Sequence, residues 1–145
     1  TSDKSTECYR NFWPGPGDGM LRLMNRSLDQ LDALAEQSGN VFHLNRRGYL
    51  YCTSDPARLE MLRRAAEESS AVGAGPVRIH PGSLQAYQPD AASAPPDGFD
   101  LLADASLVRT HFPYLSDSLV GTLHVRRAGW FSAQQLGRLL LERAR

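Results

Sequence analysis

Long apolar runs, a net charge and a secretion signal are all missing from this sequence. Its 145 residues have a formal net charge of zero at pH 7, so composition gives no reason to expect a nucleic acid or an anionic membrane as a partner. No apolar stretch approaches the roughly 20 residues of a membrane-spanning helix, and no signal-peptide pattern is recognisable. We therefore expect neither a nucleic-acid nor a membrane partner, and a cytoplasmic location.

Motifs for metal binding and for nucleophilic catalysis are absent as well. The only cysteines, Cys8 and Cys52, lie far apart, and the four histidines have no neighbours at metal-ligand spacing. Two such cysteines are typical of thiols in a reducing compartment, with a disulfide as the alternative. Neither Gly-x-Ser-x-Gly nor His-Glu-x-x-His occurs in the chain. The sequence therefore predicts no metal site and no catalytic residue of these classes.

Apolar periodicity and capping residues predict four helices. They cover residues 19–38, 55–71, 104–111 and a last stretch that follows Ser132. Asp18 and Gly39 are placed to cap the first helix, and Ser132 with Gln135 has the pattern of a capping box. The buried faces are predicted to consist of Met20, Met24, Leu28, Leu31, Leu34 and Ala35 in the first helix, and of Leu136, Leu139 and Leu140 in the last.

Strands are predicted between these helices. Residues 41–44 and 49–52 are expected to pair as a hairpin, with Gly48 at the end of its turn. Residues 77–80 and 119–126 are further strand candidates, whereas the Ala/Ser/Pro-rich stretch 83–98 predicts a loop. Helices that alternate with single strands and one hairpin predict an α+β fold with a mixed sheet.

Two local features have both a structural and a functional interpretation. Gly15-Pro16-Gly17-Asp18-Gly19 resembles a phosphate-binding loop, but no strand precedes it and Asp18 would repel phosphate, so a plain turn is favoured. Tyr49 and Tyr51 share one face of a predicted strand. They either cover the rim of a core or line a pocket for a small polar ligand.

The first residues, TSDKSTECYRNFW, are unusually rich in hydrogen-bond donors. Such a stretch can bind an anion or the edge of a heteroaromatic ring. The alternative is a disordered end, but three nearby aromatic residues favour burial. These aromatic residues are Tyr9, Phe12 and Trp13.

The order of motifs resembles the flavin-dependent amine oxidoreductases of the D-amino-acid-oxidase class, which include sarcosine oxidase and glycine oxidase. The matching features are S-x-x-S-T-x-x-x-R-x-x-x-P-G at the start, a long helix, G-Y-L-Y at 48–51, and G-W-F-S at 129–132. The resemblance implies an internal, substrate-side portion of a two-domain FAD-binding oxidoreductase, without its G-x-G-x-x-G unit and its C-terminal half.

The same resemblance implies a division of the chain into three parts. Residues 1–40 would be the flavin-adjacent loop and long helix, and residues 41–127 would form the sheet and helices of the substrate domain. Residues 128–145 would return to the FAD domain, which the rest of the chain would supply. The fragment alone is expected to be inactive.

The resemblance also implies an activity and roles for individual residues. The intact protein would oxidise a C–N bond of an amino acid or secondary amine by hydride transfer to flavin. Residues expected to bind FAD are Ser2, Lys4, Ser5 and Thr6, and those expected to bind substrate are Arg10, Tyr49 and Tyr51. For Arg10 the alternative is a surface arginine or one paired with Glu7. For the whole chain the alternative is a stand-alone α+β binding or interaction module without redox activity.

Overall fold

The computed structural model describes residues 7–82, 87–89 and 97–145. In chain order the elements are β1 (Cys8–Arg10), α1 (Gly19–Ser38), β2 (Tyr49–Thr53), α2 (Pro56–Ala71), β3 (Val77–His80), β4 (Phe99–Leu102), α3 (Ala105–His111), β5 (Gly121–Val125), β6 (Ala128–Trp130) and α4 (Ala133–Arg143). Helices together with a mixed sheet confirm the predicted α+β class.

The main sheet has four strands in the order β2-β5-β4-β3. Strands β3 and β4 are parallel, while β4–β5 and β5–β2 are antiparallel. A separate antiparallel pair joins β1 to β6, with Arg10 opposite Ala128. Because side chains alternate along a strand, register assigns Tyr51 and Leu123 to one face of the main sheet and Leu50 and His124 to the other.

The two central strands of the main sheet, β5 and β4, are buried on both faces. The first face packs against α2 and the chain that follows β1, in a cluster that includes Phe12, Leu21, Ala66, Phe99, Leu101, Leu123 and Val125. The second face packs against α3 and Tyr87, in a cluster that includes Leu102, Leu107, Val108 and Phe112. The two faces therefore differ in character. The first is apolar, whereas the second also contains buried charged side chains.

The predicted hairpin is wrong. Residues 41–44 form no strand, and β2 pairs with β5 instead. The side chain of Asn40 satisfies both backbone groups of Leu44, since its Nδ2 donates to the Leu44 carbonyl at 2.9 Å and its Oδ1 accepts from the Leu44 N–H at 2.7 Å. These local bonds take the place of a strand partner. Gly48 nevertheless turns the chain into β2, with a φ of 84°.

Two predicted buried faces differ from the structure. In α1 the buried residues are Leu21 and Leu28, while Met20 is exposed. Asp18 precedes the helix but makes no capping bond, because its carboxylate pairs with Arg22 at 2.6 Å. In α4 no residue is fully buried: Leu136 and Leu139 are half-buried and Leu140 is 48% exposed, so the predicted apolar face is only partly covered by the described residues.

The predicted cap of α4 is confirmed, because Ser132 Oγ accepts a hydrogen bond from the Gln135 N–H at 3.3 Å. Ser132→Ala should therefore lower the free energy of unfolding by about 1 kcal/mol, the usual effect of losing such a cap. Chemical denaturation of the two proteins measures the difference. An unchanged midpoint and slope would show that the cap does not contribute to stability.

The described residues also bear on the predictions about membrane-spanning helices and about the two cysteines. No helix there is long and apolar enough to cross a bilayer. Cys8 and Cys52 form no disulfide in that part of the chain.

Candidate functional site

The three residues expected to bind substrate come together in the structure. Arg10 lies on β1, with its Cζ atom 5.3 Å from the centre of the Tyr49 ring and 4.6 Å from that of Trp13. The rings of Tyr49 and Tyr51 are 5.0 Å apart, centre to centre. A guanidinium over aromatic rings is held there by cation–π attraction.

Contacts made by Tyr9 and Trp13 fix the position of Arg10. Tyr9 is buried, its ring centre lies 6.3 Å from that of Phe131, and its hydroxyl donates to the Asn45 carbonyl. Because neighbouring side chains on a strand point to opposite sides, burial of Tyr9 directs Arg10 to the other side, toward Tyr49. The Trp13 indole N–H donates to the Arg10 carbonyl at 3.1 Å, which brings the Trp13 ring over the guanidinium.

The electrostatics of this cluster suit an anionic ligand. Burial raises the pKa of Tyr51, and the neighbouring Arg10 guanidinium opposes that rise, so Tyr51 stays a neutral hydroxyl at physiological pH. The Nε of Arg10 is buried and has no hydrogen-bond partner within the described ranges. A buried donor without an acceptor is costly, so an acceptor that reached this atom would be stabilised.

A groove of about 560 Å³ adjoins Tyr49 and Tyr51. Its other walls come from Phe12 and from the α2 residues Arg58, Met61, Leu62 and Ala65. This volume falls in the range that binds small molecules. The two tyrosines also pack against the first core cluster, so they contribute both to the rim of the core and to the wall of the groove.

The sequence also suggests an FAD-binding segment and a glycine-rich turn. Ser2, Lys4, Ser5 and Thr6 lie outside the described residues, so their role in binding FAD stays a prediction. The stretch from Gly15 to Gly19 borders a smaller cavity of about 260 Å³ that Glu68 also lines. A carboxylate there, together with Asp18, is unfavourable for phosphate and agrees with a plain turn.

A second cluster of polar residues, which we call the polar face, lies on the opposite side of the main sheet. Asp100 is at its centre and is 1% exposed. It accepts hydrogen bonds from Arg78 at 2.7 Å, from His80 at 2.8 Å and from Arg126. Burial raises the pKa of Asp100, but these three hydrogen bonds outweigh burial and hold the pKa well below its usual value.

Sequence reasoning missed the polar face, although a signal was present. The triplets Arg78-x-His80 and His124-x-Arg126 each place two polar side chains on one face of a strand. Both faces of a strand in a fully covered sheet are usually apolar, so polar residues at a spacing of two indicate a buried ion network.

Comparison of the sequence with protein-family models and with curated proteins finds no match. In the described residues no group of three or more His, Cys, Asp and Glu side chains could hold a metal ion.

Proposed function

We propose that this chain is the substrate-side portion of a cytoplasmic FAD-dependent oxidoreductase that oxidises a C–N bond of an amino acid or secondary amine. The observation that supports the proposal is the convergence of Arg10, Tyr49 and Tyr51 beside a groove of small-molecule size. These residues come from segments about 40 positions apart in the sequence. The resemblance implies that Arg10 binds the substrate carboxylate, whereas Tyr49 and Tyr51 are expected to line the cavity because they share one face of a strand.

Arg10 would hold the substrate carboxylate. Its guanidinium offers a charge-assisted, two-pronged hydrogen bond that orients the α-carbon, and the surrounding rings of Tyr49 and Trp13 strengthen it by excluding water. The Nε of Arg10, a donor with no acceptor among the described residues, supports this role. Orientation of this kind lowers the entropic part of an activation barrier.

FAD, when bound, would accept the hydride from the substrate. By the resemblance, the residues that hold it are Ser2, Lys4, Ser5 and Thr6. Their hydroxyl and ammonium groups are suitable donors for the polar edge of a flavin, and they directly precede the strand that carries Arg10. The rest of the protein would supply the FAD domain.

Flavin content tests the proposal. The purified full-length protein should be yellow and should release FAD in a close to equimolar amount on denaturation. A colourless, folded protein that does not bind added FAD would contradict the proposal. That result would favour the alternative, a binding or interaction module without redox activity.

Loss of the Tyr51 hydroxyl should affect substrate binding more than stability. Tyr51→Phe removes a polar group beside Arg10 but keeps the ring that packs at 5.2 Å from Phe12, centre to centre. We expect a severalfold rise in KM for a carboxylate substrate, with a change in unfolding free energy below about 1 kcal/mol. Steady-state kinetics and thermal unfolding measure the two effects. Unchanged kinetics with lowered stability would assign Tyr51 to core packing alone.

A further inference from the structure

Side-chain contacts hold the segment Tyr87–Pro89, which belongs to no helix or strand, on the polar face. Tyr87 is 2% exposed, and its hydroxyl lies 2.9 Å from His124 Nδ1. The Arg126 guanidinium lies 5.1 Å from the centre of the Tyr87 ring and donates to the Gln88 carbonyl at 2.7 Å. The Tyr87 ring also packs against Phe112 in the second core cluster, while the polar contacts of the segment come from two residues of the sheet, His124 and Arg126.

The hydrogen bonds of His124 define its neutral form. Nε2 lies 3.1 Å from the Arg47 carbonyl, which can only accept, so Nε2 carries the proton. Nδ1 is then an acceptor, and the Tyr87 hydroxyl donates to it. Gly48 permits this approach, because a Cβ atom at that position would lie 1.8 Å from Nε2.

The charged groups and histidines around His124 come from β3, from β4, from the end of β5 and from α3. They are Arg78 and His80 on β3, Asp100 on β4 and Arg126 just after β5, with His111 on α3 against the ring of Tyr87. Asp100 already accepts from three donors, so it has little capacity to compensate a new cation. A proton on His124 would therefore place a second buried positive charge near Arg126. Burial first, and Arg126 next, lower the pKa of His124 to about 4.

We propose that His124 and Tyr87 form a proton-sensitive latch, which holds Tyr87–Pro89 on the polar face at neutral pH and releases this segment in mild acid. Protonation converts Nδ1 from an acceptor into a donor, so the Tyr87 hydroxyl has to rotate and accept instead. The unfavourable change is the new positive charge, which is buried close to Arg126. Release hydrates the imidazolium at the cost of the contacts of the Tyr87 ring with the second core cluster, whereas the strands keep their ladders. This inference does not depend on the proposed flavin chemistry.

The direction of the pH effect follows from the two pKa values of His124. When the segment is released, the hydrated imidazole has a pKa near its usual 6.5, and in the latched form the pKa is about 4. The latched form binds its proton less readily, so the stabilisation by the latch is complete above pH 6.5 and is lost as the pH falls toward 4. Between pH 7 and pH 5 the equilibrium constant for release should rise about tenfold or more.

Amide hydrogen exchange, corrected for the pH dependence of the chemical rate, tests this inference in the full-length protein. The amides of Tyr87 and Gln88, which are the ones this segment has because Pro89 lacks an N–H, should exchange about tenfold or more faster at pH 5 than at pH 7, while β5 stays protected. His124→Asn keeps an acceptor near Nδ1 but cannot gain a proton, so protection of the segment should then be independent of pH. His43→Asn, a matched change at an exposed histidine, should retain the wild-type response.

Two outcomes would overturn the latch. One is a pH response that persists in His124→Asn, and the other is an equal loss of protection in β5 and in the segment, which would indicate global unfolding. If His124→Asn is unprotected at both pH values, the titration of the His124 ring by NMR in the wild-type protein decides. The latch requires release of the segment to follow that titration, and independent midpoints would contradict it.

Discussion

Replacing Arg10 with lysine should lower kcat/KM for a carboxylate substrate by about tenfold or more, which corresponds to about 1.4 kcal/mol, while FAD stays bound. Lysine keeps the positive charge but loses the planar pair of donors that matches a carboxylate. It also loses the flat surface that stacks between Trp13 and Tyr49. Steady-state kinetics of the full-length enzyme measure the effect.

Two controls separate a carboxylate contact from a general defect. An amine substrate without a carboxylate should lose much less activity in Arg10→Lys, because it makes no such contact. Arg22→Lys, at an arginine whose side chain is 80% exposed, should change neither substrate. If both substrates respond equally to Arg10→Lys, or neither responds, then Arg10 does not bind the carboxylate.

Replacing Asp100 with asparagine should lower the free energy of unfolding by about 3–5 kcal/mol. Asparagine preserves the shape of the side chain but removes the charge that compensates Arg126, whose side chain is 5% exposed. Guanidinium denaturation of the two proteins measures the difference. Asp18→Asn is the matched control, because Asp18 pairs with Arg22 at the surface and should cost less than about 1 kcal/mol.

A double mutant tests whether the unpaired charge of Arg126 causes the loss of stability. Arg126→Met added to Asp100→Asn removes the uncompensated cation, and it should recover part of the lost stability if a buried unpaired charge is the cause. A loss in Asp100→Asn no larger than that in Asp18→Asn would contradict the role of Asp100. So would a double mutant whose two effects simply add.

Elements with local signals could be predicted from the sequence. Helix α2 begins as expected, because Asp55 accepts a hydrogen bond from the Ala57 N–H at 2.9 Å and Pro56 occupies the first turn. Gly39 ends α1 with a φ of 64°, which is a conformation that glycine adopts without strain. These signals depend only on neighbours in the sequence, so one chain is enough to recognise them.

Elements that depend on distant partners could not be predicted in the same way. Strand β4 contains Asp100, a residue type that is unfavourable in strands, and it is stabilised there by Arg78, His80 and Arg126 from other segments. Strands β1 and β6 have three residues each, too few for a periodic signal. The hairpin prediction was wrong for a similar reason, since the partner of β2 is β5, about 70 residues away.

The candidate site, too, could be predicted from the sequence only in part. Sequence reasoning assigned Arg10, Tyr49 and Tyr51 to the substrate, but it gave no distances between them. The stacking of Arg10 on Trp13 and the groove beside α2 depend on how β1 packs against the main sheet, which periodicity does not report. The polar face draws its residues from several strands and one loop, so no single motif represents it.

The absorbance spectrum of the intact protein, recorded anaerobically during addition of amino acids and secondary amines, tests the central claim most directly. We predict that the protein contains oxidised flavin and that at least one amine with a carboxylate bleaches it. The same amine without its carboxylate should bleach it far more slowly. A protein without flavin, or a flavin that stays oxidised with every amine in the panel, would contradict the proposed function.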